Sequence, residues 1–189
     1  NYFFRLSRFQ DRLLKWYDEH PGVIKPEFRG NEALGLIRGG LRDFSVSRTS
    51  LDWGIPLPWD ERHVAYVWFD ALTNYLSATG FGDPSVDYTD RWPVDYHLIG
   101  KDIIRHHCVY WPAMLMSAGV DLPKGWAVGG WLLVDGEKMA KSTGNVVNPL
   151  DLTDVVGVDG FRYYVLAETS YGSDGDFSFE GLVGRYNSD

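Results

Sequence analysis

The chain has 189 residues and a mass of 21.5 kDa, which is enough for one domain with a sizeable core. Apolar residues make up 44% and charged residues 23% of the sequence, a composition that excludes a disordered chain. No apolar run is long enough for a transmembrane helix, and the single cysteine, Cys108, excludes an internal disulfide and a cysteine-based zinc site within this chain. The net charge of −8 makes this segment a poor candidate for the main nucleic-acid-binding region. We expect a reduced, cytoplasmic setting and no membrane partner.

Apolar spacing and turn residues predict an alternation of helices and strands. In chain order we expect a helix over 6–19, a helix over 27–37, an extended segment over 44–58 and a strand over 63–69. A helix then runs from Ala71 to near Gly80 with Asp70 as its cap, followed by a loop over 82–93, a strand over 96–99 and a helix over 101–118 that is kinked at Pro112 and ends at Gly119. The last predicted elements are a strand over 127–134, a hairpin turn at Asp135-Gly136, a helix over 161–169 and another helix that starts at Phe179. This alternation predicts an α/β fold with a mostly parallel sheet. Ligands of such sheets bind beyond the carboxyl ends of the strands.

The first candidate segment crosses from the predicted strand at 63–69 into the helix that follows. Trp68 is expected near the end of the strand, and Ala71 and Tyr75 share one helix face because they are four residues apart. Two large rings around a small residue would form an apolar slot. Core packing of a strand–helix unit gives the same pattern.

The second candidate segment joins a strand end to a helix start at residues 100–102. Gly100 permits close approach, and the free N–H groups of a helix start favour a polar or anionic ligand. Asp102 would cap the helix or hold a ribose hydroxyl. Ile103, His107 and Trp111 follow at spacings of four and form one stripe of the helix, which an aromatic core stripe explains equally well. No metal site is predicted here, because no cysteine or carboxylate stands at ligand spacing from the histidines.

The third candidate segment is a loop that follows the predicted hairpin turn and carries Lys138 and Lys141. Two ammonium groups on a loop suit a polyphosphate whose charge shifts during a reaction. A solvated lysine loop fits the bare spacing as well. The glycine pattern of a P-loop is missing, which disfavours that chemistry.

Together these segments resemble the methionyl-tRNA synthetases, a family of class I aminoacyl-tRNA synthetases. Lys138-Met139-Ala140-Lys141-Ser142 is similar to the KMSKS loop of that class, with alanine at the third position. The companion motifs occur in the order of the family and cover essentially the whole chain: Asn1-Tyr2-Phe3-Phe4-Arg5-Leu6-Ser7, Gly40-Leu41-Arg42-Asp43, Ser47-Arg48-Thr49, Asp52-Trp53-Gly54-Ile55-Pro56, Tyr66-Val67-Trp68, Asp70-Ala71-Leu72-Thr73-Asn74-Tyr75, His97-Leu98-Ile99-Gly100-Lys101-Asp102-Ile103, Trp111-Pro112-Ala113 and Gly144-Asn145-Val146-Val147.

The resemblance implies the second half of a Rossmann-like parallel sheet with flanking helices, incomplete at both ends. Residues 1–40 would be the helical end of the connective insertion. Residues 41–150 would be the second half of the catalytic domain, and residues 151–189 the linker and the start of the helical anticodon-binding domain. The first Rossmann half with its HIGH-type motif is not in this sequence, nor is the zinc knuckle of the insertion. We therefore interpret the chain as a piece of a longer protein and expect it to be inactive alone.

The implied activity is that of a methionine–tRNA ligase, which activates methionine with ATP and Mg²⁺ and transfers it to tRNA, mainly held by domains outside this chain. By resemblance, seven residues would line the methionine side-chain pocket: Trp68, Ala71, Leu72, Tyr75, Ile103, His107 and Trp111. Gly100, Asp102 and Leu132 would contact the nucleoside of ATP. Lys138 and Lys141 would stabilise the transition state that carries pyrophosphate, and Arg48 would organise the pocket.

The sequence departs from the family pattern at Ala140, Gly129 and His106. Ala140 removes a hydroxyl, Gly129 replaces a histidine near the nucleotide, and His106 replaces an aromatic residue beside the pocket. Two other hypotheses stay open. One is a non-catalytic relative that binds a protein or RNA, and the other is a class I synthetase for another apolar amino acid.

Overall fold

The fold alternates helices with short strands, and the computed structural model describes residues 1–142 and 144–189. The described residues group into two compact units, Asn1–Ala127 and Val128–Asp189. The helices are α1 (Gln10–Glu19), α2 (Glu27–Arg38), α3 (Val67–Ser77), α4 (Trp111–Ala118), α5 (Pro149–Glu168) and α6 (Phe179–Ser188). The strands are β1 (Phe3–Phe4), β2 (Ile24–Lys25), β3 (Phe44–Ser45), β4 (Ser47–Arg48), β5 (Pro56–Leu57), β6 (Asp60–Ala65), β7 (His97–Gly100), β8 (Trp126–Gly129), β9 (Leu132–Val134), β10 (Glu137–Lys138) and β11 (Gly175–Phe177).

The central sheet of the first unit has the strand order β2-β8-β7. Strand β2 pairs in parallel with β8, with Ile24 opposite Trp126. The Tyr17 ring of α1 packs against the ring of Trp126, which is fully buried. A parallel sheet with flanking helices confirms the predicted α/β class.

A second core lies under α3 and α4. It contains the buried residues Leu72, Leu76, Trp92, Trp111, Met114 and Leu115. Smaller antiparallel sheets, β1-β3 and β4-β6-β5, complete the first unit. The predicted loop over 82–93 contains turns and no strand or helix.

The prediction of a strand over 63–69 with a helix cap at Asp70 was wrong. The strand ends at Ala65, and α3 already begins at Val67, with Tyr66 as its extended N-cap. Phe69, Leu72 and Leu76 follow helical spacing and pack in the same core, so tertiary packing overrides the β propensity of the aromatic and branched residues. Trp68 therefore lies in the first turn of a helix.

The segment 101–118 is helical, as predicted, but not uniformly α-helical. It starts with a 3₁₀ turn at Lys101–Ile103, contains a π turn at His106–Tyr110 and ends with α4. In the π turn the Trp111 N–H donates to the carbonyl of His106, five residues earlier. The irregularity coincides with Pro112, which lacks an N–H for the Cys108 carbonyl. The buried Tyr17 hydroxyl donates to that carbonyl instead, at 2.6 Å.

The second unit contains a sheet of order β10-β9-β11, in which β11 is parallel to β9. The predicted hairpin turn between β9 and β10 is confirmed, and Asp135 and Gly136 both have positive φ, 53° and 75°. The core of this unit consists of Leu152, Val156, Tyr164, Phe177 and Leu182.

The predicted single strand over 127–134 is divided into β8 and β9, which belong to different sheets. The break includes Gly130, where a Cβ atom would lie 2.0 Å from the Ser173 carbonyl oxygen. The predicted helix over 161–169 is the second half of the longer α5, which Gly157 interrupts with φ 75°. The Asn148 side chain caps α5 by accepting from the Leu150 N–H at 3.1 Å.

Among the described residues, no helix combines the length and the apolar character needed to cross a bilayer.

Candidate functional site

Five aromatic or imidazole rings meet in the first unit and are called the ring cluster below. They are the rings of Trp68 and Tyr75 in α3, His97 at the start of β7, His107 in the π turn and Trp111 at the start of α4. The centroid of the Tyr75 ring is 4.3 Å from that of His97, 5.6 Å from that of His107 and 6.2 Å from that of Trp111. The Trp68 and His107 rings meet edge to face at 6.4 Å. The structure thus brings together the four rings that the sequence predicted and adds His97.

The polar atoms of Tyr75 and His107 pair with each other. The Nδ1 of His107 lies 3.1 Å from the Ile103 carbonyl, which can only accept, so Nδ1 carries the proton. The Tyr75 hydroxyl therefore donates to His107 Nε2, at 2.8 Å. Burial lowers the pKa of His107 and raises the pKa of Tyr75, so both groups are neutral near pH 7.

Trp111 and His97 form a second pair. The indole Nε1 of Trp111 donates to His97 Nε2 at 3.2 Å, so that nitrogen carries a lone pair. Burial, with a smaller contribution from His107, lowers the pKa of His97 to about 4. Because both imidazoles are neutral and accept through Nε2, the wall that the cluster presents is uncharged and predominantly apolar.

Of the remaining predicted pocket residues, Ala71 and Leu72 lie on α3, and Ile103 is half-buried in the 3₁₀ turn Lys101–Ile103. Ala71 lies on α3 between Trp68 and Tyr75 and is partly exposed. Leu72 is 1% exposed and belongs to the core that also contains Trp111. Their roles in substrate binding stay predictions.

His106 stacks on Trp68, with ring centroids 3.8 Å apart and planes 19° from parallel. This contact keeps the flat packing that an aromatic residue would give. Burial is the largest cause that lowers the pKa of His106, and His107 and Arg105 act in the same direction while Asp102 opposes them. The imidazole is therefore neutral near pH 7.

The strand–helix junction at residues 100–102 is tightly folded. A Cβ atom on Gly100 would lie 2.8 Å from the Oδ1 atom of Asp102, which is too close. The absence of a side chain at Gly100 therefore allows the carboxylate to lie where it does. Asp102 is exposed and is the second residue of the 3₁₀ turn Lys101–Ile103. A carboxylate in this position can accept hydrogen bonds from hydroxyl groups.

Arg48 holds the strands that lead to α3. Its guanidinium donates to the Ser45 hydroxyl at 2.7 Å and to the Ser47 carbonyl at 2.8 Å. The same group lies 4.0 Å from the ring centroid of Tyr66, the N-cap of α3. The role of Arg48 in organising the pocket stays a prediction.

The lysine loop, residues 138–145, belongs to the second unit. The side chain of Asn145 closes it: its Oδ1 accepts from the Ala140 N–H at 2.9 Å, and its Nδ2 donates to the Lys138 carbonyl at 3.3 Å. The main chain at Ala140 is therefore fixed without the hydroxyl that the family usually has there. Thr143 lies outside the described residues.

The two lysines of this loop are both exposed. The Lys138 ammonium lies 4.1 Å from the ring centroid of Trp131, within cation–π range. Lys141 follows β10 in the loop. The loop thus presents positive charge to solvent.

The hairpin before this loop is fixed to β11 by carboxylates. Asp176 accepts from the Gly136 N–H at 3.1 Å, and Asp174 accepts from the Trp131 N–H at 2.9 Å. Leu132, predicted to contact the nucleoside, lies on β9 opposite Gly175 and packs against the core of its unit. Its backbone role stays a prediction.

Two residues of these sites, His97 and Asn145, were not predicted from the sequence. Both stand inside quoted motifs, but neither residue type signals its partner. His97 is the first residue of a strand and Trp111 is fourteen positions away, a distance that no local periodicity covers. Asn145 reads as an ordinary loop residue, and its two bonds to the main chain emerge only in three dimensions.

In residues 1–142 and 144–189, no group of three or more histidine, cysteine or carboxylate side chains is arranged to hold a metal ion.

Comparisons with known proteins agree with this arrangement. The family model described as tRNA synthetases class I (M) matches residues 1–189. A methionine–tRNA ligase of Rhizobium meliloti is 55% identical over 100% of this chain and 37% of its own length. One from Caldanaerobacter subterraneus is 52% identical over 100% of the chain and 30% of its own length. The chain thus spans about a third of the length of these curated relatives.

Solved structures give the same result. Mycobacterium tuberculosis methionyl-tRNA synthetase bound by methionyl-adenylate matches 100% of this chain and 37% of its own chain, with a TM-score of 0.95 and 51% identity. The free form of that enzyme matches 99% of this chain and 36% of its own, with a TM-score of 0.88 and 48% identity. The match of the family model along the whole sequence decides the assignment: this chain belongs to the class I tRNA synthetases of the methionyl family.

Proposed function

We propose that the chain is the part of a methionine–tRNA ligase that binds the methionine side chain and carries the lysine loop. We call the longer protein that would contain it the parent protein. The observation that carries the proposal is the ring cluster, in which four of the seven residues that the resemblance assigns to the methionine pocket meet one another and His97. A relative with 51% identity binds methionyl-adenylate, which supports the same ligand here.

The chemistry of the cluster suits a thioether. Methionine has a flexible, polarisable side chain whose sulfur makes favourable contacts with aromatic rings. The Tyr75 hydroxyl and the His107 nitrogens are already paired, so a polar side chain in the slot would find few partners. Ala71 is the small residue of α3 that we place between the rings of Trp68 and Tyr75.

In the proposed reaction the methionine carboxylate attacks the α-phosphorus of ATP. Methionyl-adenylate forms and pyrophosphate leaves, and the acyl group then passes to the 3′ end of tRNA with release of AMP. Lys138 and Lys141 would stabilise the negative charge that develops on the leaving pyrophosphate. Asp102 would accept from a ribose hydroxyl, with Gly100 and Leu132 beside the nucleoside. Mg²⁺ would arrive with ATP, because magnesium is usually bound through substrate phosphates with one or two carboxylates, and it would neutralise phosphate charge.

The parent protein would bind tRNA mainly through regions outside this chain, since the net charge of the chain is −8. We place it in the cytoplasm, where charged tRNA is consumed by translation. The division into residues 1–40, 41–150 and 151–189 is part of this proposal.

Exchange of labelled pyrophosphate into ATP by the parent protein tests the activity. We expect exchange that depends on methionine, with leucine and valine much less effective. Exchange that leucine or valine supports equally would favour a synthetase for another apolar amino acid. A parent protein that shows no exchange and does not bind a methionyl-adenylate analogue in titration calorimetry would be a non-catalytic relative.

A further inference from the structure

His97 is a buried imidazole in the ring cluster to which the family resemblance gave no role. It is 4% exposed, and its backbone N–H donates to the Gly125 carbonyl at 3.0 Å, which fixes it to the central sheet. Its ring is surrounded by other rings, with centroid distances of 4.3 Å to Tyr75, 6.1 Å to Trp92, 6.1 Å to His107 and 6.5 Å to Trp126.

The Trp111 indole needs a hydrogen-bond acceptor, because Trp111 is 1% exposed and its N–H can only donate. The neighbouring Trp92 cannot supply one, since its indole N–H is itself a donor, to the Asp121 carbonyl at 2.8 Å. The Tyr75 hydroxyl is engaged with His107. His97 Nε2 accepts the Trp111 N–H at 3.2 Å and thus supplies the acceptor.

His97 contacts two walls of the slot by different means. It holds Trp111 through a hydrogen bond, which fixes the rotation of the indole. It holds Tyr75 by ring packing at 4.3 Å, and Tyr75 in turn orients His107. A strand residue thereby ties together rings that come from α3 and from the helical segment over 101–118.

We propose that His97 is a positioning residue of the methionine slot, which sets the placement of Trp111 and Tyr75 and so the affinity for the methionine side chain. The inference rests on the proposed function and deepens it. The proposal assigns the effect to the acceptor nitrogen of His97 and not to the size of its ring. If His97 only filled space, any ring of similar size could replace it.

The test uses the parent protein and pyrophosphate exchange, with KM measured separately for methionine and for ATP. His97→Phe keeps a ring and removes the acceptor, and we expect the KM for methionine to rise by about tenfold while the KM for ATP stays within about twofold. His97→Gln places an amide oxygen near the position of Nε2, and we expect it to recover most of the loss. His20→Phe is the matched control, since His20 stacks on Trp16 at 4.3 Å but is exposed and outside the cluster.

A double-mutant cycle isolates the hydrogen bond. Trp111→Phe removes the donor, so His97→Phe should raise the KM for methionine much less in that background than in the wild type. Full additivity of the two changes would overturn the role of this bond. So would a His97→Phe variant with an unchanged KM for methionine, or equal changes in the KM values for methionine and ATP.

The outcomes separate the two proposals. A wild-type parent protein without methionine-dependent exchange would overturn the proposed function and this inference with it. Normal wild-type exchange together with a His97→Phe variant that matches the wild type would overturn this inference alone.

Discussion

The two compact units build their candidate sites in opposite ways. In the first unit the ring cluster is largely buried, and its polar atoms pair with each other in Tyr75–His107 and Trp111–His97. In the second unit both lysines of the loop are exposed, and the side chain of Asn145 fixes the main chain at Lys138 and Ala140. Under the proposed function, this difference suits the two ligand groups. An apolar side chain binds in a preformed, largely apolar slot, whereas phosphates need cations that remain accessible to them.

This comparison predicts that changes in the ring cluster alter the affinity for the amino acid, whereas changes in the lysine loop alter the rate of activation. The predictions below test that division.

Lys141→Ala should have the largest effect. Loss of a donor that acts on developing charge typically costs about 3 kcal/mol, so we expect kcat for activation in the parent protein to fall by roughly 150-fold. The KM for methionine should stay nearly constant. Lys15→Ala is the control, since Lys15 forms an exposed ion pair with Glu19 at 3.6 Å on α1. A large rise in the KM for methionine at normal kcat would contradict the role given to Lys141.

Acidification should destabilise the first unit. The pKa of His97 is about 4 in the folded protein, below the value of about 6.5 for an unperturbed imidazole, so the unfolded state binds more protons between these values. Stability is therefore full above pH 6.5 and is lost as the pH falls towards 4, with a slope of at most about 1.4 kcal/mol per pH unit for each such imidazole. His106 and His107 shift in the same direction.

Thermal unfolding of the parent protein at a series of pH values measures this loss. His97→Gln keeps an acceptor and does not titrate, so the pH dependence should become less steep in that variant. An unchanged pH dependence would show that His97 contributes little to it.

Asn145→Ala should have a smaller effect on the lysine loop. The change leaves the Ala140 N–H without its side-chain acceptor and loosens the main chain between the two lysines. We expect kcat to fall by about tenfold, with the KM for methionine unchanged, because a net hydrogen bond contributes on the order of 1 kcal/mol. Asn187→Ala, an exposed position in α6, is the matched control. If the KM for methionine rises instead, the separation between the two sites fails.

Tyr75→Phe should have the smallest effect. It removes the hydroxyl that donates to His107 Nε2 and keeps the ring. We expect the KM for methionine to rise by about fivefold at nearly constant kcat, since one neutral hydrogen bond is lost. Tyr186→Phe, at an exposed tyrosine of α6, should behave as the wild type in the same kinetic measurement. A fall in kcat at constant KM would place Tyr75 with the groups that act on the transition state.

Much of the fold follows from local signals in the sequence. Helical spacing identifies α1 and α2, Gly119 ends α4 in the left-handed conformation, and Asp135-Gly136 gives the hairpin turn. The start of α3 could not be predicted from propensity, because Val67, Trp68 and Phe69 are all strand formers. Their helical state depends on a core that the chain forms only when distant residues meet.

The candidate site shows the same limit. Residue types and spacing indicate candidate site residues, and the resemblance to the family assigns them to the methionine side-chain pocket: Trp68, Tyr75, His107 and Trp111. Which nitrogen carries a proton, and which ring needs an acceptor, depends on contacts between α3, β7 and the segment over 101–118. Such pairings are set by tertiary structure, so the contacts of His97 could not be predicted from the sequence.

The π turn at His106–Tyr110 has a consequence for the phase of the helix. A π turn is equivalent to one extra residue in an α-helix, and each residue of an α-helix advances by about 100°. If the same number of residues formed a regular α-helix instead, the rings before the turn would be rotated by about 100° relative to the rings after it. His107 and Trp111 would then no longer both face Tyr75, so the π turn is a structural requirement of the ring cluster.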